Sequence, residues 1–346
     1  MRVSEVGEFG LISLLARELG IEYPPSPGAR PRRGLLVDLG DDAVVAERRD
    51  GALIWTTDTL VAGVHFPAAQ APWTDIGWKA LAVNVSDIAA MGGAPDLALV
   101  TLTLPGDFCV EDAVSLYQGL REAADAFGVR LAGGDLVGSP VFSVTVELCG
   151  WADLQRLGQP RAMTRSSARV GDIVAVSGAL GDSAAGLRLV MARDSFESPA
   201  ARRLREAHYR PWPRVDLGKA AIGAGVRCAI DISDGLVQDL GHIARASAVG
   251  IRVDAARVPL SAEIQELFGA QALGLALTGG EDYELALIGP RSAIESLLGR
   301  PELALTEVGE VVQYDSPRVA VVDESGRELA LGAGGWDHFP ASAGGQ

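Results

Sequence analysis

Lysine is nearly missing from this chain of 346 residues: only Lys79 and Lys219 occur, and arginine carries almost all of the positive charge. Even so, acid prevails, with 45 Asp and Glu against 30 Lys and Arg and a formal charge of −15. Like charge repels, which argues against general binding to nucleic acid or to an anionic membrane surface. Anionic small molecules stay open as partners if cations mediate. Cysteine is scarce too. Cys109, Cys149 and Cys228 are far apart and make no CxxC pair, so they read as small apolar thiols rather than zinc ligands. There are four histidines and no HExxH. No apolar run is long enough to span a bilayer, and no basic n-region leads into an apolar h-region at the N-terminus. A cytoplasmic protein is expected.

The common phosphate-binding signatures are also missing. Gly218-Lys219 is followed by Ala220, so GxxxxGK[ST] fails, and no GxGxxG follows a strand. EF-hand spacing is absent. P-loop enzymes and standard dinucleotide binders are thereby set aside. Glycine turns remain, at GGD (133–135) and SGALGDS (177–183), where backbone N–H groups can face an anion.

What is present is a core-forming composition, 48% hydrophobic and 22% charged, long enough for two domains. Residues 5–19 have helical apolar spacing through Phe9, Ile12, Leu15 and Leu19. YPPSPGARPRRG reads as a mobile loop. GLLVDLGDDAVVAE reads as strand, acidic turn, strand, and ALIWTT as a further strand. TDIGWKALAVNVSDIAAMGG reads as a helix, with Thr74 or Asp75 as N-cap and Gly92 or Gly93 at its end. VRLAGGDLVG reads as a strand running into a glycine turn. Strands and helices alternate, which predicts an α/β chain with a sheet of mixed direction. The division falls at about residue 150, giving an N-terminal domain of 1–150 and a C-terminal domain of 151–346.

The acidic residues gather at strand ends and turns: Asp41 and Asp42, Asp58 after Thr56 and Thr57, Asp87, Asp135, Asp231 and Asp234, then Glu281 and Asp282. Each alone reads as turn chemistry, because Asx side chains satisfy local N–H groups. Asp87 is harder to dismiss. Its helix, ALAVNVSDIAAM, is apolar on nearly every side, and a carboxylate there needs a cation, a donor or a proton. Together the carboxylates and threonine hydroxyls make an oxygen-rich set suited to Mg²⁺. Arg165 is a candidate anion contact, His65 follows closely on TTDT, and Trp336 offers a flat ring near the C-terminus. Their alternative roles are a surface arginine, a structural histidine and a packing aromatic.

In this order the motifs resemble those of the thiamine-monophosphate kinase family. GEFGLI, LGDDAVV, TTDTLVAGVHF, WKALAVNVSDIAAMGGAP, AGGDLVG, MTRSSARVGD, SGALGDSAAGL, DISDGLVQDLGHIA, GGEDYEL and WDHF run in the family's sequence order, from about residue 7 to residue 339. The wider group includes aminoimidazole ribonucleotide synthetase, selenophosphate synthetase and a hydrogenase-maturation protein.

The resemblance implies a two-domain aminoimidazole ribonucleotide synthetase-like fold, α/β with mixed α+β character. It implies a homodimer whose N-terminal sheets pair into a barrel, with ATP between domains or near the dimer seam. It implies transfer of a phosphoryl group from ATP to thiamine monophosphate, giving thiamine diphosphate, with several Mg²⁺ ions. The metal ligands it implies are Asp42, Thr56, Thr57, Asp58, Asp87, Asp135, Asp231 and Asp234, of which Asp58, Asp87, Asp135 and Asp234 carry the chemistry. Tyr117, Gly134, Asp135, Arg165 and Ser233 would contact ATP; His65, Glu281 and Trp336 would meet thiamine phosphate. Leu136 and Val137 stand where relatives often have threonines, so a hydroxyl contact there is lost or replaced. A sister ATP-dependent enzyme and a non-catalytic Mg²⁺–nucleotide binder are the alternatives. A selenophosphate synthetase would need a reactive Cys with a nearby Lys in an N-terminal segment, and here the first are Cys109 and Lys79.

Overall fold

A helix that is apolar all round must be covered all round. In the computed structural model that helix, α2 (Trp73–Ala90), is buried along nearly its whole length, Lys79, Asn84 and Ser86 included. The structure describes residues 1–23, 32–33, 35–37, 45–46, 51–67, 72–152, 162–192, 198–316 and 318–330. They divide into two units, Met1–Ala162 and Met163–Gln346. Among them no helix is long and apolar enough to cross a membrane.

Unit 1 contains α1 (Val3–Glu18), β1 (Leu35–Val37), β2 (Val45–Ala46), β3 (Ala52–Val61), α2, β4 (Ala94–Leu104), α3 (Val110–Phe127), β5 (Arg130–Gly138) and β6 (Ser143–Ala152). Four strands form one open sheet in the order β3-β6-β4-β5. β6 is antiparallel to both neighbours and β4 is parallel to β5, so the expected mixed direction is present. A parallel pair needs a crossover, and α3 supplies it. β4 buries Ala98, Val100, Leu102 and Leu104 and leaves Leu97, Leu99, Thr101 and Thr103 half-covered, the alternation of a sheet packed on one face. α2 lies between that face and α3. Gly77 and Gly119 bring the two helices close: a Cβ at Gly77 would strike the Leu116 carbonyl, and one at Gly119 the Thr74 carbonyl. The short β1 and β2 pair separately.

Two local expectations are corrected here. α2 starts one residue before Thr74, with Pro72 at the N-cap position and no side-chain cap; burial rather than a cap hydrogen bond holds that end. Gly92 does follow the helix, in the left-handed region at φ 76°. GGD is not a turn. Residues 133–135 lie inside β5, and Gly134 is there because a Cβ would collide with the Val100 backbone on β4.

Unit 2 contains β7 (Ile173–Ser177), α4 (Asp182–Met191), α5 (Pro199–Tyr209), α6 (Val215–Ala224), β8 (Cys228–Asp231), α7 (Leu236–Ser247), β9 (Gly250–Asp254), α8 (Ala262–Phe268), α9 (Ala272–Thr278), β10 (Leu285–Gly289), α10 (Arg291–Leu298), β11 (Leu305–Val312) and β12 (Arg318–Val322). Its six-stranded sheet has the order β12-β9-β11-β7-β10-β8. β7, β8 and β10 are buried at every position, and their apolar runs form the core with α7 and β9. SGALGDS is the turn from β7 into α4, and DISDG the turn from β8 into α7, as their glycines predict.

Candidate functional site

In unit 1 the site is built on one face of β3. Ile54, Thr56, Asp58 and Leu60 alternate with Leu53, Trp55, Thr57 and Thr59, and the first set faces α2. Thr56 Oγ1 donates to Asp87 Oδ2 at 2.5 Å. Asp58 also reaches Asp87. Its tip is open to solvent, but its surroundings are dense. That desolvation, then the Asp87 charge and a hydrogen bond between the two carboxyls, lifts Asp58 to about 6. So the structure joins Thr56, Asp58 and Asp87, and the half-buried aspartate of the apolar helix has found a hydroxyl donor and a second carboxyl.

Other residues of the same unit stand apart. Thr57 is on the opposite face, opposite Glu147 of β6. A row of cross-strand partners runs over that open face from Thr59 through Thr145 and Thr101 to Asp135. β3 and β5 are the two edges of the sheet, so three strand spacings, about 14 Å, separate Asp58 from Asp135. Gly134 lies beside Asp135 on β5. Tyr117 is buried on α3, and burial pushes its hydroxyl far above the usual phenol range. His65 sits in the turn after β3, where its Nδ1 accepts from the Val61 N–H at 3.0 Å. That contact leaves the ring proton on Nε2. Asp42 and Trp336, with Asp41, lie outside the described residues.

In unit 2 two segments pack together: the 231–235 loop and the GGEDYE segment, 279–284. The Glu281 N–H donates to the Ser233 carbonyl at 2.7 Å, the Tyr283 N–H to Ile232 at 2.9 Å, and the Ile232 N–H to Glu284 at 2.8 Å. A Cβ at Gly280 would strike the Ser233 carbonyl. Asp231 is buried at the end of β8, opposite Leu285. Asp234 is half-buried and accepts from Gln238 Nε2 at 3.2 Å. Arg165 is exposed and close enough to help hold His242 below its usual pKa, after burial and Arg245; Asp234 acts on the same ring in the opposite sense. Asp234, Asp239 and His242 each bring a ligand atom to within 4.8 Å of the others.

Sequence reasoning missed what two further carboxylates do. Asp239 Oδ2 accepts from the N–H groups of Ser233, Asp234 and Gly235, at 3.1, 3.0 and 3.1 Å. Burial lifts it to about 7, against the pull of those bonds. Asp282 accepts from Gly181 at 2.7 Å and Ser183 at 3.2 Å, and burial raises it well above the carboxylate range. Asp239 thus fills, from inside the protein, the nest of amides in the loop ahead of α7, and Asp282 takes part of the N-terminal amides of α4. The SGALGDS amides read as a phosphate cradle are in part taken by Asp282. On either side of Asp282 the backbone is left-handed at Glu281 (φ 68°) and Tyr283 (φ 52°), where side chains rarely go. Such conformations cluster at functional sites.

Two descriptions of the family models match: AIR synthase related protein, N-terminal domain, over residues 40–151, and AIR synthase related protein, C-terminal domain, over 169–322. The thiamine-monophosphate kinase of Aquifex aeolicus is 35% identical over 342 residues, covering 98% of this chain and 100% of that one. This chain belongs to the thiamine-monophosphate kinase family. The crystal structure of the thiamine-monophosphate kinase from Stenotrophomonas maltophilia K279a is 36% identical, with TM-score 0.77 over 91% of this chain and 96% of that one. A structure of AaThiL complexed with AMPPCP and TMP is 35% identical, with TM-score 0.74 over 98% of this chain and 99% of that one. The family's two-domain mixed α/β fold is thus the one seen here.

Proposed function

We propose that this chain transfers the γ-phosphoryl group of ATP to thiamine monophosphate, giving thiamine diphosphate, in the cytoplasm. The observation that carries the reading is the Asp58–Asp87 contact between β3 and α2, two carboxyls pressed together where the family motifs put the metal ligands. Two such groups resist joint ionisation, and a hard divalent cation relieves them. The donor set is all oxygen, which fits Mg²⁺. Asp42, Thr56, Thr57, Asp58, Asp87, Asp135, Asp231 and Asp234 would hold the ions. When bound, Mg²⁺ supplies charge neutralisation for the crowded phosphates.

The protein's own groups have the remaining roles. Tyr117, Gly134, Asp135, Arg165 and Ser233 contact ATP, and His65, Glu281 and Trp336 contact thiamine phosphate. Asp239 and Asp282 already fill the amide pockets, which favours phosphates held through cations. The acceptor is a phosphate oxygen, anionic near neutral pH, so no strong general base is required. Positioning and charge stabilisation account for catalysis, with direct transfer and no phosphoenzyme.

A homodimer completes this reading. Leu53 and Trp55 are 49% and 63% exposed on the open sheet face, an apolar surface that asks for a cover. Asp58 and Asp135 stand on opposite edges of one sheet, so a shared metal set draws on two copies. Pairing the open faces into a barrel covers this surface and sets the β3 edge of one copy beside the β5 edge of the other. The decisive assay incubates purified protein with ATP, Mg²⁺ and thiamine monophosphate. Thiamine diphosphate is the expected product; ATP binding without product would sink the kinase reading in favour of a nucleotide binder.

A further inference from the structure

We propose that His208 is a positioning residue that sets the Glu281 carboxylate for substrate; this rests on the reading that Glu281 contacts thiamine phosphate. His208 lies in the last turn of α5 and is 1% exposed. Its place is fixed by a close helix contact. Gly186 of α4 lets α5 approach, since a Cβ there would strike the Leu204 carbonyl and lie 3.0 Å from the His208 Cβ. His208 Nδ1 is then 3.1 Å from Ser183 Oγ and 3.4 Å from Glu281 Oε2. An ionised carboxylate only accepts, so the nitrogen facing it carries the proton. Ser183 in turn gives its N–H to Asp282. Glu281 is thus held at both ends. Its left-handed backbone is fixed by Ser233 and by the anchored Asp282, and its flexible side chain is met by a buried donor with little freedom of its own. With that contact in place the carboxylate has less side-chain freedom left to lose when substrate binds.

Steady-state kinetics with both substrates test this, using H208F, H208N, H208Q, E281Q and the H208F/E281Q double variant. Asn keeps an N–H donor near the Nδ1 position; Phe removes it, and Gln moves it away. H208F and H208Q should raise the KM for thiamine monophosphate up to about tenfold, as expected for losing a polar contact with a charged group, with the KM for ATP changed less than about twofold. H208N should stay within about threefold of wild type. Should Phe prevent folding, the H208N against H208Q comparison carries the test, with H208Q replacing H208F in the double variant. On the E281Q background the His208 substitution should add nothing. Equal rises for both substrates, H208N as impaired as H208Q, or full additivity with E281Q would overturn the positioning role. A normal H208F beside an impaired E281Q overturns that role alone. A normal E281Q removes the Glu281 assignment, and the proposal with it.

Discussion

Arg214 closes on Glu284 through two parallel hydrogen bonds, Nε to Oε2 at 2.7 Å and Nη2 to Oε1 at 2.5 Å. Ser177 Oγ donates to the same carboxylate and accepts the Leu285 N–H at 2.9 Å. Glu284 is buried, and Gly178 leaves room for it, because a Cβ there would sit on the carboxylate. The cluster ties the end of β7 to the end of the GGEDYE segment.

Removing only the arginine should therefore be costly. Arg214→Met leaves a buried carboxylate with one hydroxyl for a partner, and denaturant unfolding should show a loss of roughly 3 kcal/mol. Arg214→Lys keeps the charge but loses the fork, and should cost about half as much. Equal stability of Arg214→Met and wild type would mean that Glu284 is neutral or otherwise compensated.

Asp239 is expected to act on the loop that carries Ser233 and Asp234. Asp239→Ala strips the acceptor from three amides at once. Hydrogen exchange at residues 233–235 should speed up by about tenfold or more, while the β7 and β10 amides stay protected. Unchanged exchange at those three amides would show that the loop holds itself.

The alternation of strands and helices was legible because it rests on local apolar periodicity, and so was the burial of the helix around Asp87, which is apolar on nearly every side; Asp87 itself is only half-buried. The acidic motifs were legible as a set. What they grip was not. Glu284, just ahead of the apolar strand β10, signals a buried partner, but nothing local says that the partner is Arg214, seventy residues earlier. Asp239 and Asp282 resemble other acidic turn residues until the chain folds and brings amides to them. GGD looked like a turn because two glycines read so locally; Gly134 answers instead to the Val100 backbone on a neighbouring strand. Asp135 therefore lies on a sheet edge, at the other side of the sheet from Asp58.

The raised carboxyls set a pH dependence. Asp58 and Asp239 rise from 3.8 to about 6 and about 7. A folded state that holds its protons more tightly than the unfolded one loses stability as pH rises. Their contribution is full below the unfolded value and is lost as pH climbs through about 6 and about 7. In metal-free protein, Asp239→Asn should flatten the fall in Tm between about pH 5 and about pH 8. Mg²⁺ should raise Tm more at the upper end, because it competes with the proton. A Tm difference between variant and wild type that is independent of pH would contradict the raised Asp239.

Gly134→Ala tests the strand assignment of GGD. The added methyl meets the Val100 carbonyl, a backbone atom that cannot rotate away. The variant should lose about 1–3 kcal/mol in denaturant unfolding, the usual cost of overpacking. A GGD turn free of β4 would tolerate alanine with a far smaller loss.

Asp87→Asn separates structure from chemistry at the paired carboxyls. Asn keeps the shape and can still accept from Thr56, so the folded state and its oligomeric form should persist. Removing the charge also lowers Asp58, though not to 3.8, because burial is the first cause of its shift. Carbon-detected NMR titration of the Asp58 carboxyl should report that drop. Turnover should fall by at least about a thousandfold, the scale of losing a charge-stabilising group at a phosphoryl-transfer centre. Mg²⁺ should then stabilise the variant less than wild type in a thermal melt. Turnover like wild type, with the Asp58 titration shifted as expected, would leave the pair intact as structure and remove Asp87 from the metal set.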